Sequence, residues 1–332
     1  MSKSVPLVSA IIPVYNRASL VAGAIRSVLQ QTHCSLEVLV VDDGSTDHTA
    51  EVILQVADER VRLIQQANCG TATARNTGLA AAKGEFIAFL DADDRWLPRF
   101  VELSLEATRK FSQEPCFAYS GYIAVDEKGR LLHFSSLKHP LEGCAFEAMI
   151  DRESSILAGS SCLFDRRIYE AIGGFEPDDY HEDYTWTLRV ARRFPFAFTG
   201  KRLWVYRQSA QGKARRLMAD YDAALKEDMA IVDAVSAVLS PCQAEQFRNQ
   251  QLRSAFYRWV MYGYLDHAKK LYLTHARLDW ERGKKGRLAV LSIKTGLPLL
   301  SLARRSLQTA TGLVFGRWWQ GLLRRYRLGY AE

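Results

Sequence analysis

Within the first 110 residues, four short strand-like stretches at 8–14, 37–41, 61–64 and 86–90 alternate with stretches of helical spacing at 19–31, 46–57, 71–82 and 98–110. Strands alternating with helices at this spacing predict a parallel sheet with crossover helices. That topology also fixes where chemistry can sit, because ligands of such sheets bind beyond the carboxyl ends of the strands. Three polar clusters fall at those ends: Tyr15-Asn16, Asp42-Asp43-Gly44-Ser45 and Asp91-Ala92-Asp93-Asp94. Ser19 is a candidate N-cap for the first helix, and Pro98 suits the first turn of the fourth.

From Cys116 the pattern changes. Runs at 117–125 and 131–134 flank Asp126-Glu127-Lys128-Gly129, a hairpin-like turn. A strand is expected at 160–164, a short helix at 166–172 ended by Gly173-Gly174, a helix at 182–193 and a last short strand at 203–206. This is a mixed α+β half joined to the parallel one. Beyond Gly212 the chain reads as wholly helical, with apolar residues three and four apart over 217–238 and 244–276. The expected organisation is therefore an α/β domain over 1–212, with halves at 1–115 and 116–212, and a helical basic region over 213–332.

The net charge of +7 conceals an asymmetry. Residues 1–200 carry a net −7 and residues 201–332 a net +14. Residues 283–332 alone hold ten Lys and Arg against one acid, together with Trp318 and Trp319. A basic, aromatic segment of this kind predicts contact with an anionic membrane surface; packing of its apolar face on the catalytic domain or on a second copy is the structural alternative. Helices within 213–280 offer surfaces for a homodimer. The six cysteines are scattered with no C-x-x-C pair, which suits a reducing cytoplasm and argues against zinc. The longest uncharged run, residues 4–16, is thirteen long and contains two prolines. A bilayer span needs about 20 apolar residues, so no span is expected there.

The acidic triplet carries most of the chemistry. Three carboxylates within four residues repel one another unless something positive neutralises them, and a divalent cation holding a diphosphate does so. Asp43 can accept from a nucleobase imide N–H while Gly44 lets the backbone come close; the structural alternative is a turn with Ser45 capping the next helix. Arg75, on the helix before the carboxylate strand, can face a diphosphate or a solvated helix side. Trp186 is expected in the core rather than as a sugar platform.

Four motifs in order, Ile11-Ile12-Pro13-Val14-Tyr15-Asn16, Val41-Asp42-Asp43-Gly44-Ser45-Thr46-Asp47, Ala74-Arg75-Asn76-Thr77-Gly78-Leu79 and Phe89-Leu90-Asp91-Ala92-Asp93-Asp94, closely resemble family-2 glycosyltransferases of the GT-A fold. The resemblance covers about residues 5–210. It implies a nucleotide-sugar donor, usually a UDP-sugar, and inversion at the anomeric carbon. It also implies roles: Pro13 and Tyr15 bordering the nucleotide, Asp43 at the base, Asp91 near the ribose, Asp93 holding Mg²⁺ or Mn²⁺, and Asp94 as a second metal contact. His181-Glu182-Asp183-Tyr184-Thr185-Trp186, preceded by Gly173-Gly174-Phe175, matches the family's acceptor-side acid pair. An inverting displacement needs one base for the acceptor hydroxyl. Asp183 is the expected base and Glu182 its competitor; the structural alternative is that both acids favour a helix N-terminus electrostatically. Arg207, after Trp204-Val205-Tyr206, can reach a phosphate from a closing loop or serve a structural ion pair.

The expected activity is transfer of a sugar to a hydroxyl of a glycan or lipid-linked glycan in cell-surface polysaccharide synthesis, by a cytoplasmic enzyme peripheral on the inner membrane face. Two other classes compete. A sugar nucleotidyltransferase needs a triphosphate-binding Gly-rich loop, which the sequence lacks. A non-enzymatic nucleic-acid- or glycan-binding protein using the basic tail leaves the acidic half unexplained, so no nucleic acid is expected as a partner.

Overall fold

The computed structural model describes residues 5–111, 114–138, 140–151, 159–177, 182–209, 219–236, 239–281 and 283–295. They fall into two compact units, one drawn from residues 1–146 and 156–207, the other from 147–155 and 208–316.

The first unit opens with β1 (Val8–Val14), α1 (Ala18–Leu29), β2 (Leu36–Asp42), α2 (Thr49–Leu54), β3 (Val61–Gln65), α3 (Thr71–Ala81) and β4 (Phe86–Phe89). Among the described residues β1 pairs in parallel with β2 on one side and β4 on the other, and β3 extends the β2 edge. Every residue of β1 is buried. Strands covered on both faces read as continuous apolar runs, which is why β1, β2 and β4 were recognisable; β3, an edge strand with Arg62 and Gln65 exposed, carries a weaker pattern. The strand order reverses at β1, the kind of position where open α/β sheets bind ligands.

The sheet continues as a mixed one. After β5 (Arg95–Trp96) and α4 (Phe100–Thr108) come β6 (Phe117–Val125), β7 (Leu131–Phe134), α5 (Phe146–Asp151), β8 (Cys162–Asp165), α6 (Arg166–Ile172), α7 (Glu182–Ala191) and β9 (Phe196–Arg207). The spatial order is β3-β2-β1-β4-β8-β6-β9-β5, with β7 beside β6. The hydrophobic layer joins the inward residues of β1, β2 and β4 to Val21, Ala24, Ile25 and Val28 of α1 and to Phe100, Val101 and Leu105 of α4.

Several local expectations are corrected. Ser19 is not an N-cap: α1 begins at Ala18, and its first amides are met from the neighbouring loop, Arg17 N donating to Thr49 Oγ1 and Ala18 N to Asp47 Oδ2. Ser45 does not cap α2; its Oγ accepts from Asn16 N, while Asp47 Oδ1 accepts from Thr49 N. Helix α4 starts after Pro98 rather than at it. Strand β9 is twelve residues long, not four. Its first part escaped notice because Gly200 and Lys201 are exposed and Gly200 has φ +71°, which breaks the apolar run.

The second unit holds α5 from Glu147 onward, α8 (Tyr221–Ser236), α9 (Pro241–Tyr262), α10 (Leu265–Thr274) and α11 (Gly283–Thr295). Ser240 and Gln243 form a capping box at the start of α9. Gly263, at φ +89°, ends that helix and divides what reads as one helical stretch. Phe256, Trp259, Leu271 and Trp280 centre its core, and Asp228 makes a two-oxygen ion pair with Arg258. No helix among the described residues is long and apolar enough to cross a membrane. Trp318, Trp319 and the rest of the basic tail beyond residue 295 lie outside the described residues.

Candidate active site

The loops after β1 and β2 are tied together by Asn16. Its left-handed backbone (φ +51°) aims the side-chain carbonyl at the next loop, where it accepts from Thr46 N at 2.8 Å and Asp47 N at 3.3 Å. Gly44 has φ +76°, and a Cβ there would lie 2.7 Å from Asn68 N, so only glycine fits. Pro13 is buried in β1, opposite Val41, so the surface at this strand end belongs to Tyr15, 45% exposed. Asp43 is buried and accepts from Gln66 Nε2 (2.7 Å), Cys69 N (2.9 Å) and Gly70 N (2.9 Å). It thereby anchors the loop leading into α3. A base contact would have to share a carboxylate already engaged by three protein donors.

The three carboxylates after β4 have separate partners. Asp91 Oδ1 pairs with Arg75 Nη2 at 3.2 Å, and its backbone N–H donates to Ser160 Oγ. Asp93 Oδ2 lies 3.9 Å from Arg17 Nε. Asp94 is 1% exposed; Oδ2 accepts from Trp204 Nε1 at 2.6 Å and Oδ1 from Arg207 N at 3.0 Å. Asp94, expected as a second metal contact, instead straps the end of β9 to this turn. Burial and the charges of Asp93 and Asp91 push its carboxyl well above the usual range. Burial and Asp91 likewise push Asp93 up, with Arg17 drawing it back.

Among the described residues no group of three His, Cys, Asp or Glu is arranged to hold a metal ion. Magnesium-type sites for phosphates commonly use only one or two carboxylates, the substrate supplying further ligands. Two of the three carboxylates, Asp91 and Asp93, keep partly exposed side chains (39% and 32%), which fits that pattern.

Arg75 does not face outward. It is 4% exposed, donates from Nη1 to Glu182 Oε1 at 2.9 Å and from Nη2 to Asp91, and lies 5.8 and 5.5 Å from the ring centroids of Phe89 and Phe175. Burial disfavours its charge, yet Asp91, Glu182 and Asp183 together outweigh this and hold its pKa above the ordinary value. Glu182 is thus fixed by an ion pair. Asp183, beside it in the first turn of α7, accepts from Tyr184 N. Burial raises its pKa, Arg75 lowers it and Asp91 raises it, with a net upward shift. Trp186 is fully buried in the core, as expected: its indole donates to Gly173 O at 2.9 Å and its ring stacks on Phe175. The Arg207 guanidinium is drawn to Glu127 O in the β6–β7 turn.

The structure adds residues that sequence reasoning left without a role. Asn76 binds Phe175 through both ends of its amide. Ser160 and Trp204 support Asp91 and Asp94, and Arg17 faces Asp93. Asn76 and Arg17 stand inside or beside recognised motifs, while Ser160 and Trp204 carried no signal.

The Glycosyl transferase family 2 profile matches residues 9–173. The chain is 36% identical over 164 residues to the putative teichuronic acid biosynthesis glycosyltransferase TuaG of Bacillus subtilis, covering 45% of this chain and 64% of that one. It is 41% identical over 121 residues to the UDP-Glc:alpha-D-GlcNAc-diphosphoundecaprenol beta-1,3-glucosyltransferase WfgD of Escherichia coli, covering 36% and 47%. An uncharacterized glycosyltransferase of Rickettsia felis is 44% identical over 128 residues, of which the chain spans 38% of itself but only 21% of the relative. The chain thus spans from about a fifth to under two thirds of the length of these relatives. Among solved structures, Staphylococcus aureus TarS 1–349 in complex with UDP-GlcNAc superposes with a TM-score of 0.58 at 16% identity, over 91% of this chain and 92% of that one. The mannosyltransferase PcManGT of Pyrobaculum calidifontis, in complex with GDP-Man and Mn²⁺, gives 0.55 at 19% identity, over 94% and 88%. At these identities the likeness establishes the fold, the GT-A architecture expected above.

Proposed function

Because residues 9–173 make this chain a family-2 glycosyltransferase, we propose that it moves one sugar, with inversion, from a UDP-sugar to a hydroxyl of a glycan or lipid-linked glycan of the bacterial surface. The observation that carries this reading is the position of Arg75, which joins Asp91 at the end of the parallel sheet to Glu182 at the head of α7. That bridge joins Asp91 to the acid pair and occupies Glu182, which supports Asp183 over Glu182 as the proposed base.

In the proposed reaction the acceptor oxygen attacks the anomeric carbon, the bond from that carbon to the diphosphate breaks, and Asp183 takes the hydroxyl proton. Tyr15 borders the nucleotide, and Asp43 fixes the loop on which the base would rest. Asp93 would hold a divalent cation, which when bound offsets the charge of the departing diphosphate. The basic region over 283–332 would keep the enzyme at the inner membrane face, where a lipid-linked acceptor is presented; vesicles with and without anionic lipid test that part separately.

The deciding experiment is calorimetric titration with UDP in Mn²⁺ and again in EDTA, with GDP and dTDP alongside. The reading expects UDP binding that weakens at least about tenfold without metal, a difference of about 1.4 kcal/mol. Failure of all three nucleotides to bind in Mn²⁺ would overturn it. Preference for GDP or dTDP would change the donor and keep the reaction class.

A further inference from the structure

We propose that Arg17 is a diphosphate-binding side chain of the donor site, held against Asp93 until the donor enters. This deepens the reading above and rests on the site accepting a nucleoside diphosphate.

Three arginines surround the carboxylate turn, and they are held very differently. Arg75 is buried and committed to Asp91 and Glu182. Moving it would leave two carboxylates unpaired in the interior, which is costly. The Arg207 guanidinium donates to Glu127 O, while its backbone N–H serves Asp94. Arg17 is different. Its side chain is 48% exposed, its Nε is 3.9 Å from Asp93 Oδ2, and its Nη1 donates to the neighbouring carbonyl of Asn16 at 3.1 Å. A pair this long and this open adds little to stability, so the guanidinium can leave it cheaply.

The backbone beneath that side chain is fixed. Arg17 N donates to Thr49 Oγ1 at 2.9 Å, Arg17 O accepts from Leu20 N and Val21 N, and the preceding Asn16 is clasped to residues 45–47. The result is a tethered guanidinium at the end of the central strand, in the same loop as Tyr15 and beside the carboxylate that would hold a cation. Guanidinium binds phosphate through paired N–H donors. Before the donor arrives, Arg17 offsets the charge of Asp93. With a cation held by Asp93, Arg17 would no longer be needed there and its guanidinium would be free to turn to the diphosphate. One side chain thereby serves both states without a buried charge being uncovered in either.

The test uses the full chain with Arg17→Ala and Arg17→Lys. UDP, UMP and uridine are titrated in Mn²⁺, Mn²⁺ alone is titrated by electron paramagnetic resonance, and thermal melting checks the fold. The expected result for Arg17→Ala is a loss of about tenfold or more in UDP affinity, the size of one charge-assisted contact, with uridine within about twofold and the melting temperature kept. Arg17→Lys should fall between, since a lysine keeps the charge and loses the fork. Mn²⁺ alone should bind Arg17→Ala at least as well as wild type, because a competing cation is gone. UDP and uridine weakening together, or neither changing, would overturn the proposal. Wild-type protein binding uridine and UDP equally would also overturn it. Wild type binding no UDP, GDP or dTDP would instead remove the donor reading, and the role of Arg17 with it.

Discussion

The side-chain amide of Asn76 grips the backbone of Phe175 at both ends, Nδ2 donating to Phe175 O at 2.8 Å and Oδ1 accepting from Phe175 N at 2.8 Å. The grip joins α3, in the half that follows the nucleotide-binding pattern, to the loop that leads to the acid pair. The same loop is held from α7, where Trp186 donates to Gly173 O and Arg189 to Gly174 O. Gly174 has no room for a side chain, since a Cβ would stand 2.2 Å from Asn76 Oδ1. Each residue from Arg75 to Gly78 is therefore engaged. Arg75 meets Asp91 and Glu182, Asn76 meets Phe175, Thr77 donates to Gln66, and Gly78 admits Ile11.

Asn76→Ala should lower stability by about 1–3 kcal/mol, the cost of leaving part-buried backbone groups without their partners. Because the loop positions α7, turnover should fall further than donor affinity. Asn76→Asp keeps the acceptor for Phe175 N and sets a second oxygen against Phe175 O, so it should be no better than alanine. Denaturant melts and calorimetric UDP affinities, compared with kcat, check this. A variant that loses donor affinity and turnover equally would place the role of Asn76 on the donor side alone.

The acid pair makes a sharper contrast. Asp183→Asn should cut turnover by about 100- to 10,000-fold while donor affinity holds. Glu182→Gln weakens an ion pair to a buried arginine, and removing one partner of a buried pair costs about 3–5 kcal/mol. Its main effect should be on folding, seen as a lower denaturation midpoint. If Glu182→Gln melts like wild type and abolishes turnover, the base assignment reverses.

Much of this architecture is legible in the amino-acid sequence. The three inner parallel strands, β1, β2 and β4, announce themselves because burial on both faces demands largely apolar runs. The acids at their ends follow from the same topology. What the chain does not disclose is who partners them. Asp94 is claimed by Trp204 and by Arg207, 110 and 113 residues further on, and Asp43 by a loop 23 to 27 residues away. Spacing along a sequence shows that three carboxylates are neighbours. It does not show which of them is already satisfied. For the same reason Arg75, read as a residue facing a ligand or solvent, proved to be an internal tie, and Ser19 lost its cap to Thr49 and Asp47.

That difference among the acids is open to test. Asp93→Asn should keep the fold and remove the metal-dependent part of UDP binding, so that titrations in Mn²⁺ and in EDTA converge. Asp94→Ala removes the acceptor of the Trp204 indole N–H, at a cost of about 1–3 kcal/mol in stability. Measured side by side, the first variant should move binding and the second the melting curve. The opposite pattern would return Asp94 to the metal.

The upward shift of Asp183 ties function to stability. A base works deprotonated, so turnover should fall as pH drops through its raised pKa, placing the acid limb above the ordinary Asp value of 3.8. Burial is the main cause and Asp91 adds to it, while Arg75 opposes. Asp91→Asn should therefore move the limb to lower pH even where it also weakens donor binding. Folding disfavours the charged form of this group. Its favourable contribution is therefore complete below the unfolded pKa and is lost as pH rises through the folded one. At neutral pH the native protein carries Asp183 at a cost that Asp183→Asn relieves. The inactive variant should be at least as stable as wild type at pH 7 and lose that advantage near pH 4. Melting curves at the two pH values read this directly, and a variant markedly less stable at pH 7 would mean that Asp183 is held for structure and not for catalysis.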